Sequence, residues 1–237
     1  MEGKVSRAEL KKDAKEKLKG NWGTVILVVI ILTAVISLCI QVVLKVFGQE
    51  VSTNFYGVTI EIPLLSTTGS FVNMVVSCAI AAFFGLGKSK VFLKISRGEK
   101  PSIEDAFSMG KYFVPAFIAA FVISLFVFLW FFLLIIPAII ASYRYKLYQY
   151  VLIDNPNMKA MEVVSRCKEM MVGHKMDLFF LDLSFLGWLI LGVFTFGILY
   201  LWLFPYIYTT QANFYNDIVG YNGEAKETEE VEAEVAE

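Results

Sequence analysis

Charge is scarce in this chain of 237 residues: 18% are Asp, Glu, Lys or Arg, whereas about a quarter is usual for a soluble domain. Histidine is nearly absent, and a single one, His174, excludes a histidine cluster. The three cysteines stand far apart. Cys39 and Cys78 fall in apolar runs and Cys167 in a polar one, which supports neither a disulfide framework nor a zinc site. There is no HExxH, no Ser/His/Asp grouping and no acidic cluster able to hold a metal. No catalytic residue, metal or cofactor is therefore expected. "AFFGLGKSK" echoes the end of a phosphate-binding loop, but Ala82 stands where the first glycine belongs and no strand precedes it, so that reading is rejected.

What is abundant is apolar side chain, 57% of residues, with 15% aromatic. Residues 24–44, "TVILVVIILTAVISLCIQVVL", carry no charge over 21 positions, enough to cross a hydrocarbon core of ~30 Å. An integral membrane protein follows. The charged lead of about 20 residues is long for a signal peptide's first region, so a retained span is expected.

Further apolar runs cover 71–87, 112–140 and 178–208, and the last two are too long for one span. Basic residues decide the count, because Lys and Arg collect on the cytoplasmic side. Seven lie in residues 1–20, six in 88–111 and four in 154–177, against one in 45–69. All three blocks share a side if the chain turns near Pro137 and again at Thr195–Gly197. The expected fold is all-α: a polytopic membrane protein with six transmembrane helices at 24–44, 70–92, 113–135, 137–153, 178–194 and 198–217. These form three hairpins, each preceded by a cytoplasmic amphipathic helix. Residues 1–23 would be the first such helix, 24–218 the membrane domain, and 219–237 an acidic disordered tail with both termini cytoplasmic.

This count places Arg144 about 10 Å and Lys146 about 13 Å below the outer surface at 1.5 Å per residue. Charges near a bilayer centre cost about 2.5–3.5 kcal/mol each, so partners or water are needed. Asp182 is the expected partner of Arg144, and Tyr145 and Gln211 complete a candidate polar cluster. Two readings stay open: Lys146 snorkels while Arg144 glues two helices, or the cluster handles a substrate or ion. Ser77, Ala81 and Gly85, four apart, are expected to let helices approach closely.

Each hairpin follows a polar segment ending in glycine: Gly20, Gly110 and Gly173, expected as left-handed helix ends. Ser6 with Glu9, and Ser102 with Asp105, have capping-box spacing. Asn155 and Pro156 are expected to open the third segment, with Ala160, Val164, Cys167 and Met171 on one face. Three such helices would form a cationic collar on anionic inner-leaflet lipid, or serve as solvated connectors. The tail "GEAKETEEVEAEVAE" either solubilises the chain or folds back on that collar.

Taken together and in order, "KGNWG", "SRGEKPSIEDAFS", "IPAIIASYRY", "LIDNP", "GHKMDLFFLDLSFLGWLILGVFTFGI" and "PYIYTTQANFY" resemble a bacterial family of multi-pass membrane proteins, domain of unknown function 975. The resemblance covers residues 5 to about 218. That family is in turn distantly similar to the membrane domain fused to some glycerophosphodiester phosphodiesterases, although no catalytic barrel pattern is present here. The resemblance implies a helical polytopic fold in the cytoplasmic membrane and brings no substrate or catalytic residue. The favoured function is a non-enzymatic envelope scaffold or partner-binding module. It would contact membrane lipids and a protein on its cytoplasmic face, and no nucleic acid. The alternative is a transporter or lipid-handling protein built around the polar cluster.

Overall fold

The computed structural model describes residues 5–55, 58–65, 67–133 and 135–221. The acidic tail lies outside the described residues from 222 onward. Among the described residues, the chain's regular elements are helical apart from one hairpin. Its elements run α1 (Arg7–Leu18), α2 (Trp22–Phe47), β1 (Gly48–Phe55), β2 (Val58–Leu65) and α3 (Thr67–Ser96). After a loop come α4 (Phe113–Leu133), α5 (Ile135–Tyr145), α6 (Tyr148–Asp154), α7 (Ala160–Met170), α8 (Lys175–Leu183), α9 (Leu186–Phe194) and α10 (Tyr200–Val219). Three stretches, Trp22–Cys39, Glu104–Trp130 and Lys175–Phe194, are long and apolar enough to cross a membrane.

Several expectations need correction. The polar segment after α2, expected as a loop, pairs as an antiparallel hairpin with Gly48 opposite Leu65 and Phe55 opposite Val58. The sequence "VTIEI" has the alternating β-branched pattern that suits a strand. The expected amphipathic helix before α4 is instead two 3-10 turns, Glu104–Ala106 and Ser108–Tyr112. Gly110 sits inside the second turn and is not left-handed, whereas Gly20 (φ 86°) and Gly173 (φ 81°) are. Asn155 does not open α7. It closes α6, its side-chain amide donating to the Val151 carbonyl at 3.1 Å, and α7 begins at Ala160. The fourth and fifth expected segments are each broken in two, at Lys146–Leu147 and at Ser184–Phe185.

Burial is concentrated at one end. Residues Thr209 to Asn216 of α10 are all buried, so this part of the helix is enclosed on every side. α1 and α3 pack against it. The stripe Leu10, Ala14, Leu18 on α1 is buried in that contact, and the Ser6–Glu9 capping box fixes the helix start, with Ser6 N–H donating to Glu9 Oε2 at 2.8 Å. The buried face of α7, including Ala160, Val164 and Cys167, packs on α4, α5 and α6, with Met171 buried just beyond its end. These apolar stripes are thus covered by protein. At the other end large apolar side chains stay exposed: Leu125, Phe128 and Trp130 on α4, Trp188 and Val193 on α9, and Phe196, which is 98% exposed in the turn before α10. So many large exposed apolar side chains suit an apolar solvent.

The rejected "GLGKSK" motif has a packing explanation. A Cβ on Gly87 would lie 1.7 Å from the Ala106 carbonyl oxygen, and one on Gly85 would lie 2.2 Å from Gln149 Nε2. The two glycines let the 3-10 loop and α6 rest directly on α3. Of the three expected packing residues, Gly85 makes such a contact, while the side chains of Ser77 and Ala81 lie outside the described set.

Candidate functional site

The polar residues singled out in the sequence come together in part. Asp182, near the end of α8, accepts from Lys146 Nζ through Oδ2 and from Gln211 Nε2 through Oδ1 at 2.9 Å. One carboxylate thus ties the α5–α6 break, α8 and α10 together. The partner is Lys146, not Arg144, because α5 stops at Tyr145 and the turn at Lys146–Leu147 redirects the lysine toward α8. Lys146 Nζ also lies 4.9 Å from the Tyr143 ring centre. Arg144 Nε is buried without a hydrogen-bond partner. Tyr145 faces elsewhere: it is buried with its ring 6.4 Å from Phe126 of α4.

The break between α8 and α9 leaves the Ser184 carbonyl without a helical partner, and such groups must be satisfied in a low-dielectric setting. Lys11 of α1 reaches it at 3.3 Å and lies 4.0 Å from the Phe185 ring centre. Burial lowers the Lys11 pKa from its ordinary value.

A second network was not expected. Arg97, just past α3, grips Asp154 at the end of α6 with two parallel bonds of 2.9 and 2.6 Å. Such a fork-to-carboxylate contact is both directional and charge-assisted. The Tyr215 hydroxyl donates to the same carboxylate at 2.9 Å, and Arg97 Nε donates to Asn216 Oδ1 at 3.3 Å. Asn216 donates in turn to Ser96 Oγ at 2.9 Å, and Lys17 of α1 donates to the Ser96 carbonyl at 2.6 Å. The ends of α1, α3, α6 and α10 are therefore locked at one level. In sequence the pair is marked only by "SRG" and "LIDNP", a cation just past α3 and a carboxylate at the end of α6, with nothing that links the two. Beside this network lies a groove of about 1030 Å³, lined by Asp13, Lys17, Arg97, His174, Asn213 and Tyr221 among others. Asn213 donates to the Leu10 carbonyl at 3.2 Å, while its buried Oδ1 has no partner.

A third cluster centres on Asp105, whose side chain is 8% exposed. Lys94 Nζ approaches at 2.9 Å and Lys90 Nζ at 3.6 Å, and Ser102 N–H donates at 3.0 Å. Burial works to raise this carboxyl's pKa, but the bonds from Lys94 and Ser102 and the Lys94 charge outweigh it, so the net shift is downward. Burial alone pushes the Cys167 thiol up to about 12, which leaves it an inert packing group at neutral pH. Among the described residues, no group of three or more His, Cys, Asp or Glu is placed to hold a metal.

Most of the polar groups traced here join one helix to another, within a helical chain whose described residues include three stretches long and apolar enough to cross a membrane, as in a helical membrane protein. More particularly, the chain belongs to the family described as Protein of unknown function (DUF975), which matches residues 1–142 and 131–222. No curated protein and no solved structure matches it.

Proposed function

We propose that this protein is a non-enzymatic module of the bacterial cytoplasmic membrane, crossing it six times with both termini inside. In this reading α2 with α3, α4 with α5–α6, and α8–α9 with α10 are the three membrane hairpins. The distribution of polar contacts supports it. The Arg97–Asp154 lock, the Asp105 cluster and the groove beside Asn213 fall at helix ends rich in Lys and Arg, the side on which cytoplasmic loops carry their charge. Exposed apolar residues run the length of α4, from Val114 and Ile118 to Trp130, and of α9, where lipid would cover them. The groove and its unpaired Asn213 oxygen form the surface on which a cytoplasmic partner would dock.

The observation that favours a structural role over transport or lipid handling is the engagement of Lys146. A substrate site on that cation would need it free, whereas Asp182 holds it and also accepts from Gln211. Removing one partner of a buried pair costs more than removing both, because the orphaned charge remains. Asp182→Asn is therefore expected to destabilise the protein by about 2 kcal/mol, and Lys146→Met combined with Asp182→Asn is expected to recover most of that loss. Unfolding curves in detergent read both. An Asp182→Asn protein as stable as the parent overturns the structural assignment.

A further inference from the structure

Lys88 is the cation in α3 that these networks leave out. Lys90 and Lys94 share Asp105, and Lys146 has Asp182. Among the described residues no carboxylate pairs with Lys88; its Nζ instead lies 3.9 Å from the Tyr208 ring centre, a cation–π contact. Lys88 is half-buried and lines a cavity of about 390 Å³ whose other walls include Leu32, Phe84, Gln149 and Phe204. A second cavity of about 400 Å³ adjoins it, sharing Val29, Thr33 and Phe204, and runs on past Ser37 toward Gly197 and Tyr200.

We infer that this groove of two adjoining cavities between α2, α3 and α10 seats one anionic phospholipid, its phosphate on Lys88 and one acyl chain along α2 and α10. The inference rests on the membrane reading above and adds a defined lipid site to it. Three features support it. The cation stands at the end of the groove nearer the cytoplasmic loops, and the walls beyond it are mostly apolar, so an amphiphile fits both parts where a free anion fits one. From Tyr200 to Tyr208 is about 12 Å along the helix axis, of the order of one leaflet of a ~30 Å hydrocarbon core. Basic pockets between membrane helices on the cytoplasmic side are suited to anionic headgroups. The Gly85 position matters too: a side chain there would displace the Gln149 amide that forms the polar part of the wall.

The test uses the full chain in dodecyl maltoside micelles, with thermal unfolding followed on adding phosphatidylglycerol, phosphatidylcholine or inorganic phosphate. Phosphatidylglycerol is expected to raise the melting temperature more than phosphatidylcholine, and phosphate alone to leave it unchanged. Lys88→Gln is expected to lose at least half of the phosphatidylglycerol shift, while Lys90→Gln keeps it. If Lys88→Gln does not fold, the parent protein in phosphatidylglycerol vesicles carrying an acyl-chain diazirine supplies the answer, with adducts expected on residues 29–37 of α2 and 200–208 of α10. A Lys88→Gln response equal to the parent's, equal shifts from both lipids, a full shift from phosphate alone, or adducts missing from those stretches each overturn the site. A chain that stays dispersed without detergent would overturn the membrane reading itself.

Discussion

Replacing Asp154 by Ala removes the centre of the unexpected network, and its cost can be worked from the contacts. The Arg97 side chain is 13% exposed and that of Asp154 is 23% exposed, so the pair lies between a surface salt bridge and a buried one. Exposed pairs are worth about 0–1 kcal/mol, whereas breaking a buried pair costs about 3–5 kcal/mol; about 2 kcal/mol is the expected share for this pair. Tyr215, 2% exposed, loses the acceptor for its hydroxyl, at about 1 kcal/mol more. Asp154→Ala should therefore destabilise by about 3 kcal/mol, and Tyr215→Phe by about 1 kcal/mol. The double variant should cost no more than Asp154→Ala alone, because the hydroxyl's partner is already gone, giving a coupling of about 1 kcal/mol. Reversible unfolding in mixed micelles measures all three. A loss below about 0.5 kcal/mol for Asp154→Ala, or strict additivity in the double variant, would refute the reasoning.

Two further outcomes follow from the α3 face. Gly87→Ala would push a methyl group into the Ala106 backbone, so a loss of about 3 kcal/mol is expected, while Gly23→Ala, with nothing within 4 Å of its would-be Cβ, should be neutral or slightly stabilising. Melting temperatures of the two variants check this. Asp105 has a folded pKa below its ordinary value of 3.8, so its contribution to stability is present above that value and is lost as the pH falls through the lower folded value. Hydrogen exchange over residues 102–112 should accelerate as the pH drops below about 4, after correction for intrinsic rates, and Asp105→Asn should show the faster exchange already at pH 7.

The helical plan was legible because long uncharged runs are coarse signals that survive local error. The meeting of Lys146, Asp182 and Gln211 was partly legible, since a membrane carboxylate needs partners and few are available. The choice of Arg144 over Lys146 failed for a geometric reason. On one continuous helix the two cations point about 200° apart, and nothing in the residue pattern marks the break after Tyr145 that turns Lys146 toward α8. Asn155 likewise suits either end of a helix, and its amide was used to close α6. The expected Ser102–Asp105 capping contacts do form, Ser102 N–H donating to Asp105 Oδ2 at 3.0 Å and Asp105 N–H to Ser102 Oγ at 3.3 Å. Yet the same carboxylate also holds Lys94 and Lys90, and the Glu104–Tyr112 backbone stays in short turns against Gly87. That contact needed the neighbouring helix to be known. The Arg97–Asp154 lock joins residues 57 positions apart, a distance over which no local pattern speaks.

The central claim, an even number of crossings before α7, is tested most directly by paired reporters fused after Asn157, one active only in the cytoplasm and one only outside it. The account predicts a cytoplasmic signal, which places α5–α6 across the membrane and the Lys146–Asp182–Gln211 tie within it. A signal from the outside would contradict that, leaving α5–α6 a segment that does not cross the membrane and the Lys146–Asp182–Gln211 tie outside the bilayer.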